Sequence, residues 1–227
     1  LYYLRRFLSF FEGVLSKSDM ENVSISEELL PFFNQVTSTL QNHKDLLSGK
    51  ISNKDRKTIL DGLGIAGSNY RNTIYNNGFT GDQQSITKDD LLNFTKVSLQ
   101  YIEHSIDANK RADNLYHAYN LMTVKNSEEV TISYLPEMLE GQVAVLSSGY
   151  LSSQESVDLL NSLKESSLFR QDQYSYILYP NKQLSRFADK NNIPSEAVDK
   201  SQLLTQLVND GNNQVIIKDC VGQYHFN

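Results

Sequence analysis

The sequence predicts a mainly α-helical fold built from antiparallel helical hairpins, with a short β-hairpin near its end. Three observations indicate this class. Apolar residues recur at the spacing of amphipathic helices over most of the first 168 residues. The 227 residues include only four prolines and eleven glycines, so long stretches contain no helix breaker. The links between the predicted helices are short, which favours antiparallel neighbours and disfavours an all-β fold.

At least seven helices are expected from this periodicity. Asp89 and Asp90 would complement the dipole at the start of one helix, and Ser152 with Glu155 forms a capping pattern before another. The helix at 87–108 carries apolar residues on two sides, as expected for an inner helix. The predicted ranges are 1–15, 26–48, 53–75, 87–108, 112–123, 134–148, 153–166 and 199–209.

The last third of the chain has a different pattern. Helical periodicity is lost over residues 171–192, which we interpret as an ordered, aromatic loop. Apolar segments at 215–218 and 223–226 flank the turn residues 219–222 and predict a β-hairpin. We expect one helical domain over 1–227, with hairpins to about residue 168 and the loop, short helix and β-hairpin after it. Because the first residue is Leu1, inside an amphipathic pattern, we expect a fragment of a longer chain.

Composition excludes several partners. The net charge of −6 disfavours a broad basic face for nucleic acid or an anionic membrane. No apolar run approaches the roughly 20 residues that span a bilayer, and no secretory signal is recognisable, so the localisation is left open. The single cysteine, Cys220, can form neither an intrachain disulfide nor a thiolate metal cluster.

Two motifs suggest ligands but fail on context. Gly62, Gly64 and Gly67 have the spacing of a dinucleotide loop, yet the preceding residues predict a helix instead of a strand, so helix packing is favoured. A cluster of possible metal ligands matches no closed zinc pattern. It comprises His104, Asp107, Asp113 and His117. We therefore expect no cofactor and no metal.

The first candidate site stretch is the predicted helix at 112–123. On a helical wheel Asp113, His117 and Asn120 share one face, where they could converge on one ligand. The alternative is a solvated helix face on which Asp113 and His117 form an ordinary pair.

The second stretch is the predicted helix at 134–148. It places the Gln142 amide within an apolar stripe, where the amide could bridge buried groups or line a polar cavity. Glu137 and Glu140 lie one turn apart, which would suit the paired carboxylates of glycosidic hydrolysis. Two acidic residues in a first helical turn could equally complement the helix dipole.

The third stretch is the aromatic loop. Arg170, Asp172, Tyr174 and Tyr176 combine rings with polar groups, as a saccharide site requires for stacking and for hydroxyl recognition. Loop tyrosines also anchor protein interfaces, and the absence of tryptophan weakens the saccharide interpretation.

Together, residues 111–120, 138–149 and 169–180 resemble the C-terminal part of large bacterial proteins described as cellobiose-phosphorylase-like or glycoside-hydrolase-related. The resemblance spans about 60–227. It implies part of an (α/α) toroid acting on oligosaccharides, with water or phosphate as the acceptor. Asn114 stands where the family pattern has glycine, which puts in doubt any close backbone approach there.

Two function classes follow. In the first, the chain contributes a polar cleft to a carbohydrate-active enzyme, with Glu140 and Asp172 as catalytic carboxylates and Glu140 as a partly desolvated general acid. In the second, it is a helical accessory or interaction module. The expected partner is an oligosaccharide or the remainder of a larger parent chain. The substrate-binding residues of the first hypothesis are Asp113, Tyr116, His117, Asn120, Gln142, Arg170, Tyr174 and Tyr176.

Overall fold

The computed structural model describes residues 1–125 and 127–227. It is 54% helical, with only small antiparallel strand pairs in the described part, so the predicted fold class is confirmed. The chain divides into two compact units, Leu1–Pro180 and Asn181–Asn227.

Helices and strands alternate along the chain. In the part that the structure describes, the α-helices are α1 (Tyr2–Lys17), α2 (Leu29–Asn42), α3 (Asn53–Asn77), α4 (Lys88–Ala108), α5 (Leu139–Ser147), α6 (Ser153–Glu165), α7 (Phe187–Lys190), α8 (Ser195–Lys200) and α9 (Gln202–Asn209). The strands are β1 (Asn22–Ser26), β2 (Gln83–Thr87), β3 (Asn120–Lys125), β4 (Glu129–Tyr134), β5 (Phe169–Arg170), β6 (Ser175–Tyr176), β7 (Ile216–Lys218) and β8 (Tyr224–Phe226).

Polar side chains start the long helices of the first unit. The hydroxyl groups of Ser52 and Thr87 accept a backbone N–H three residues ahead, which satisfies donors that a helix start leaves unpaired. Ser152 and Glu155 form the predicted capping box at α6. Gly78 ends α3 with a φ of 71°, a backbone conformation that residues other than glycine rarely adopt.

The core of the first unit lies around α4. As predicted, α4 is covered on two sides, because it packs against both α1 and α2. Arg5 of α1 reinforces the first contact: Nε and Nη2 donate to Glu103 Oε1 at 3.0 and 2.8 Å, and Nη1 donates to the Ser148 carbonyl. The main apolar cluster joins α1, α4, α5, α6 and the α4–β3 connection. Its buried members are Tyr2, Leu8, Leu99, Ile102, Ile106, Tyr116, Val145 and Leu159.

The glycine-rich stretch lies inside a continuous helix, as the packing interpretation requires. A Cβ added to Gly62 would lie 2.6 Å from Thr39 Cγ2 of α2. Gly62 therefore permits the close approach of α2 and α3, whereas Gly64 has open space around it.

The prediction of a helix at 112–123 is wrong. Residues 111–119 form an irregular connection in which Asn114 takes a φ of 62°, and β3 and β4 then form an antiparallel hairpin. Consecutive β-branched residues at 123–124 and 130–132 favour these strands. Val130 is fully buried, and its carbonyl accepts a hydrogen bond from Arg56 of α3 at 2.9 Å, so tertiary packing overrides the helical spacing.

Other boundaries also differ. The second predicted helix ends at Asn42 and continues only as a 3₁₀ segment, Lys44–Ser48. Helix α5 begins at Leu139 instead of 134, because Met138 is extended. The pairing of β1 with β2 was not expected, since the two strands lie about 60 residues apart in sequence.

The second unit contains α7, α8, α9 and the predicted hairpin. The helix expected at 199–209 is divided at Ser201, whose extended backbone separates α8 from α9. The hairpin of β7 and β8 is confirmed, with the turn at 219–222 and Gly222 at a φ of 88°. His225 connects this hairpin to the segment after α7 through hydrogen bonds of its two ring nitrogens. Its Nε2 lies 2.9 Å from Asp219 Oδ2, and its Nδ1 lies 2.7 Å from the Asn191 carbonyl oxygen.

Candidate functional site

A cleft in the first unit lies between the start of α1, the start of α5 and the region around β3. Its volume is about 680 Å³, which is within the range of small-molecule sites. Aromatic rings, two amides, one carboxylate and several aliphatic groups line it. These residues are Leu1, Tyr2, Tyr3, Asn109, Ala118, Tyr119, Asn120, Leu139, Glu140, Gly141, Val143, Ala144 and Leu178.

Glu140 supplies the carboxylate of this cleft. It lies in the first turn of α5, and Tyr119 Oη donates a hydrogen bond of 3.0 Å to its Oε2. This contact raises the pKa of the Tyr119 hydroxyl, because ionisation would place a second negative charge beside the carboxylate. The Glu140 side chain is exposed, so the described residues do not supply the desolvation expected for a general acid.

Two asparagine amides form the polar floor of the cleft. Asn120 Nδ2 donates to Asn109 Oδ1 at 2.9 Å, and Asn109 Nδ2 donates to the Ser105 carbonyl. The pair also lines a second cleft of about 540 Å³, together with Arg56, His104 and Tyr134. Asn120 is thus one predicted residue that the structure places beside Glu140.

Gln142 and Tyr116 form a buried structural bridge. Gln142 is fully buried; its Oε1 accepts from the Tyr116 N–H at 2.8 Å, and its Nε2 donates to the carbonyls of Tyr116 and Met138 at 2.8 and 3.0 Å. The bridging interpretation of the Gln142 amide is confirmed. The Tyr116 side chain lies in the core, and burial raises the pKa of its hydroxyl.

Asp113 and His117 do not share a helix face, because no helix forms there. Asp113 accepts both Nε and Nη2 of Arg111, at 3.0 and 2.7 Å, and this contact lowers the pKa of the carboxyl. The His117 ring stacks on Tyr134 at 3.9 Å, and burial followed by the Arg111 charge lowers its pKa. Neither residue is among those that line the 680 Å³ cleft.

Glu137 forms hydrogen bonds with neighbouring side chains of the first unit. It precedes α5 and accepts from Ser167 Oγ at 2.7 Å and from Arg111 Nη1 at 3.3 Å. These contacts lower the pKa of its carboxyl, with the Ser167 hydrogen bond as the largest cause. The paired arrangement of Glu137 with Glu140 on one helix is therefore wrong, and Glu140 alone faces the cleft.

The aromatic loop holds the remaining predicted residues on a small strand pair. Arg170 donates to both oxygens of Asp172, at 2.8 and 2.7 Å, and this contact lowers the pKa of the carboxyl. The rings of Tyr174 and Tyr176 pack against Phe169 and are otherwise exposed. None of these four predicted residues lines the cleft that contains Glu140, although Leu178 of the same loop does.

Sequence reasoning missed three contributors to the cleft. Tyr119 lies within the predicted helix at 112–123, which does not form. Tyr119, Asn109 and Tyr3 are all absent from the residues that the sequence predicts to form the site. The signal that indicates the hairpin, and thereby the position of Tyr119, is the pair of β-branched runs at 123–124 and 130–132, separated by polar residues.

No group of three or more His, Cys, Asp or Glu side chains in the described residues is arranged to hold a metal ion. No helix in that part of the chain is both long and apolar enough to cross a bilayer.

Part of the chain is similar to a known protein family. Residues 184–227, which fall within the second unit, match the family described as GH149 phosphorylase insertion domain 2. No curated protein matches the chain.

Proposed function

Because the match over residues 184–227 ties the chain to a GH149 phosphorylase-like protein, we propose that its first unit contributes an oligosaccharide-binding cleft to that carbohydrate-active protein. The observation that carries the proposal is the 680 Å³ cleft with Glu140, Tyr119 and Asn120 on its wall. The match itself concerns only the second unit, so the cleft is the argument for the first.

The cleft chemistry suits a sugar ring. Such a ring presents a C–H face, which stacks on aromatic side chains, and hydroxyl groups, which pair with amides and carboxylates. Tyr119 is 54% exposed and offers both a ring face and a hydroxyl already oriented by Glu140. Leu139 and Val143 add apolar wall beside these polar groups.

Glu140 is the proposed acid of the cleft. In phosphorolysis an oxygen of phosphate forms a bond to the anomeric carbon, the glycosidic C–O bond breaks, and an acid donates a proton to the leaving oxygen. Glu140 can deliver that proton only when it is protonated, and a bound saccharide would supply the desolvation that the free cleft lacks. With water as the acceptor the same residue would serve hydrolysis.

Asp172 remains the second proposed carboxylate. Its bidentate contact with Arg170 favours the ionised form, which suits a group that stabilises positive charge more than a proton donor. Its position on an exposed turn outside the cleft makes it the weaker assignment, and Asp172→Asn tests it separately.

The proposal is tested by calorimetry and turnover on the parent protein, with a panel of gluco-oligosaccharides and with or without inorganic phosphate. Glu140→Gln should weaken saccharide binding by roughly 10- to 100-fold, as expected for loss of a charged hydrogen-bond acceptor, and should reduce turnover. Glu165→Gln, at the exposed end of α6, is the matched control. If Glu140→Gln behaves like Glu165→Gln, the cleft assignment is wrong.

A second candidate is a non-catalytic interaction module. The exposed rings of Tyr174 and Tyr179 on the aromatic loop favour it, because tyrosines are common interface anchors. Under this alternative, Tyr174→Ala would weaken association with the rest of the parent, whereas Glu140→Gln would leave saccharide binding and turnover unchanged.

A further inference from the structure

Helix α1 carries an apolar stripe that the described part of the first unit leaves exposed. We call it the α1 stripe, and it consists of Tyr3, Phe7, Phe10 and Val14, which are 69%, 56%, 68% and 47% exposed. Their spacing of four, three and four residues is the spacing by which one helix packs into another in left-handed helical pairs. An exposed surface with this repeat indicates a helical partner.

The opposite side of α1 already has partners. Tyr2, Leu8 and Leu15 are buried there, and α1 packs against α4 and α5. Helix α4 shows what a helix with two apolar sides does in this unit, since it is covered by α1 on one side and by α2 on another. A helix packed on the α1 stripe would extend the same layering by one element.

The area of the stripe decides between occupants. Buried aromatic side chains contribute roughly 150–250 Å² each, so the exposed fractions of Tyr3, Phe7 and Phe10 sum to roughly 400 Å², to which Val14 adds a smaller area. A patch of this size lies within the roughly 300–600 Å² of the largest apolar patch on a typical monomer. It falls well below the roughly 800 Å² per partner of a stable protein–protein interface. A second copy of this chain would gain too little, whereas a helix in the same polypeptide needs less area because its effective concentration is high.

We infer that the α1 stripe packs against an amphipathic helix elsewhere in the larger parent chain. The match to an insertion domain of a phosphorylase supports such a parent. The partner helix carries a complementary apolar stripe, and carboxylates flank that stripe because exposed Arg6 and Lys17 border the α1 stripe. Tyr3 also lines the proposed saccharide cleft, but Phe7, Phe10 and Val14 do not, and the inference rests on these three residues.

Thiol labelling tests it. In a Cys220→Ser background, Phe10→Cys is compared with Ser9→Cys, which is exposed on α1 but lies outside the stripe. Maleimide labelling of Phe10→Cys should be at least about tenfold slower in the parent than in the isolated 227-residue chain, because labelling would require the helices to separate. Ser9→Cys should label at similar rates in both.

Three outcomes contradict the inference. Equal Phe10→Cys rates in the parent and the isolated chain would mean that no helix covers the stripe. Concentration-dependent protection with dimer formation in the isolated chain would identify a second copy as the occupant. Slow labelling in both proteins at low concentration would mean that the isolated chain already covers the residue. Phe7→Cys repeats the test one turn away, and far-UV circular dichroism verifies that each variant is folded.

Discussion

Replacement of Gln142 by alanine is the perturbation whose cost the structure defines best. The amide of this side chain forms three hydrogen bonds in a fully buried position, two of them to the backbone of Tyr116. Alanine leaves both the N–H and the carbonyl of Tyr116 without a hydrogen-bond partner, and it leaves a cavity beside α5. Leucine fills most of the cavity but still leaves the Tyr116 N–H and carbonyl unpaired.

The magnitude follows from these losses. A buried donor or acceptor left without a partner costs about 1–3 kcal/mol, and two such groups are created at Tyr116. Allowing for partial rearrangement, Gln142→Ala should lower the free energy of unfolding by about 3 kcal/mol. For a chain of this size, that corresponds to a fall in melting temperature of roughly 6–12 °C. Gln142→Leu should cost about 2 kcal/mol, because the cavity is smaller while the unpaired groups remain.

Urea unfolding followed by circular dichroism at the helical band measures these differences. Gln154→Ala is the matched control, because Gln154 is an exposed helical glutamine whose Nε2 donates to Asp158. The control should change stability by no more than about 0.5 kcal/mol. If Gln142→Ala is no more destabilising than Gln154→Ala, the buried bridge does not contribute as described.

Three further predictions concern close packing, helix propensity and pH. Gly141→Ala would place a Cβ 2.9 Å from that of Ala118, so it should lower the free energy of unfolding by about 1–3 kcal/mol. Gly64→Ala should instead raise the free energy of unfolding by about 0.5–1 kcal/mol, because Gly64 lies in α3 with open space around it. Thermal unfolding measures both, and equal effects would contradict the packing described. Hydrogen bonds from His225 to Asp219 and to a backbone carbonyl raise the pKa of His225 above 6.5. The protonated ring therefore stabilises the second unit fully below pH 6.5, and this stabilisation is lost as the pH rises through the raised pKa of His225. In an NMR titration, Asp219→Asn should lower the pKa of His225, and an unchanged pKa would refute the contact.

Local signals predicted most of the helical framework. Capping by Ser152 and Glu155 and the two-sided pattern of α4 are each determined by residues close in sequence. The same is true of the C-terminal hairpin, whose turn residues lie between its two strands. These features could be predicted because their stabilising contacts are local or because the apolar period extends over several turns.

Long-range contacts decided what the sequence did not reveal. The pairing of β1 with β2 depends on strands separated by two helices, and the hairpin of β3 and β4 is anchored by Arg56 of α3 at the Val130 carbonyl. For the same reason Tyr119 reaches Glu140, although the sequence pattern predicts a helix over 112–123. The candidate site was therefore predicted only in part: Glu140 and Asn120 meet in the cleft, whereas Asp113, His117 and Asp172 lie outside it.

The most direct test of the saccharide cleft is a difference in calorimetric affinity between two variants of the parent protein, measured with the tightest-binding gluco-oligosaccharide of the panel. Tyr119→Phe removes only the hydroxyl that donates a hydrogen bond to Glu140, whereas Tyr119→Ala also removes the ring face exposed to the cleft. We predict that Tyr119→Ala weakens binding by about fivefold or more relative to Tyr119→Phe, because stacking contributes about 1 kcal/mol or more beyond the hydrogen bond. Equal affinities for wild type, Tyr119→Phe and Tyr119→Ala would contradict a saccharide site at this cleft.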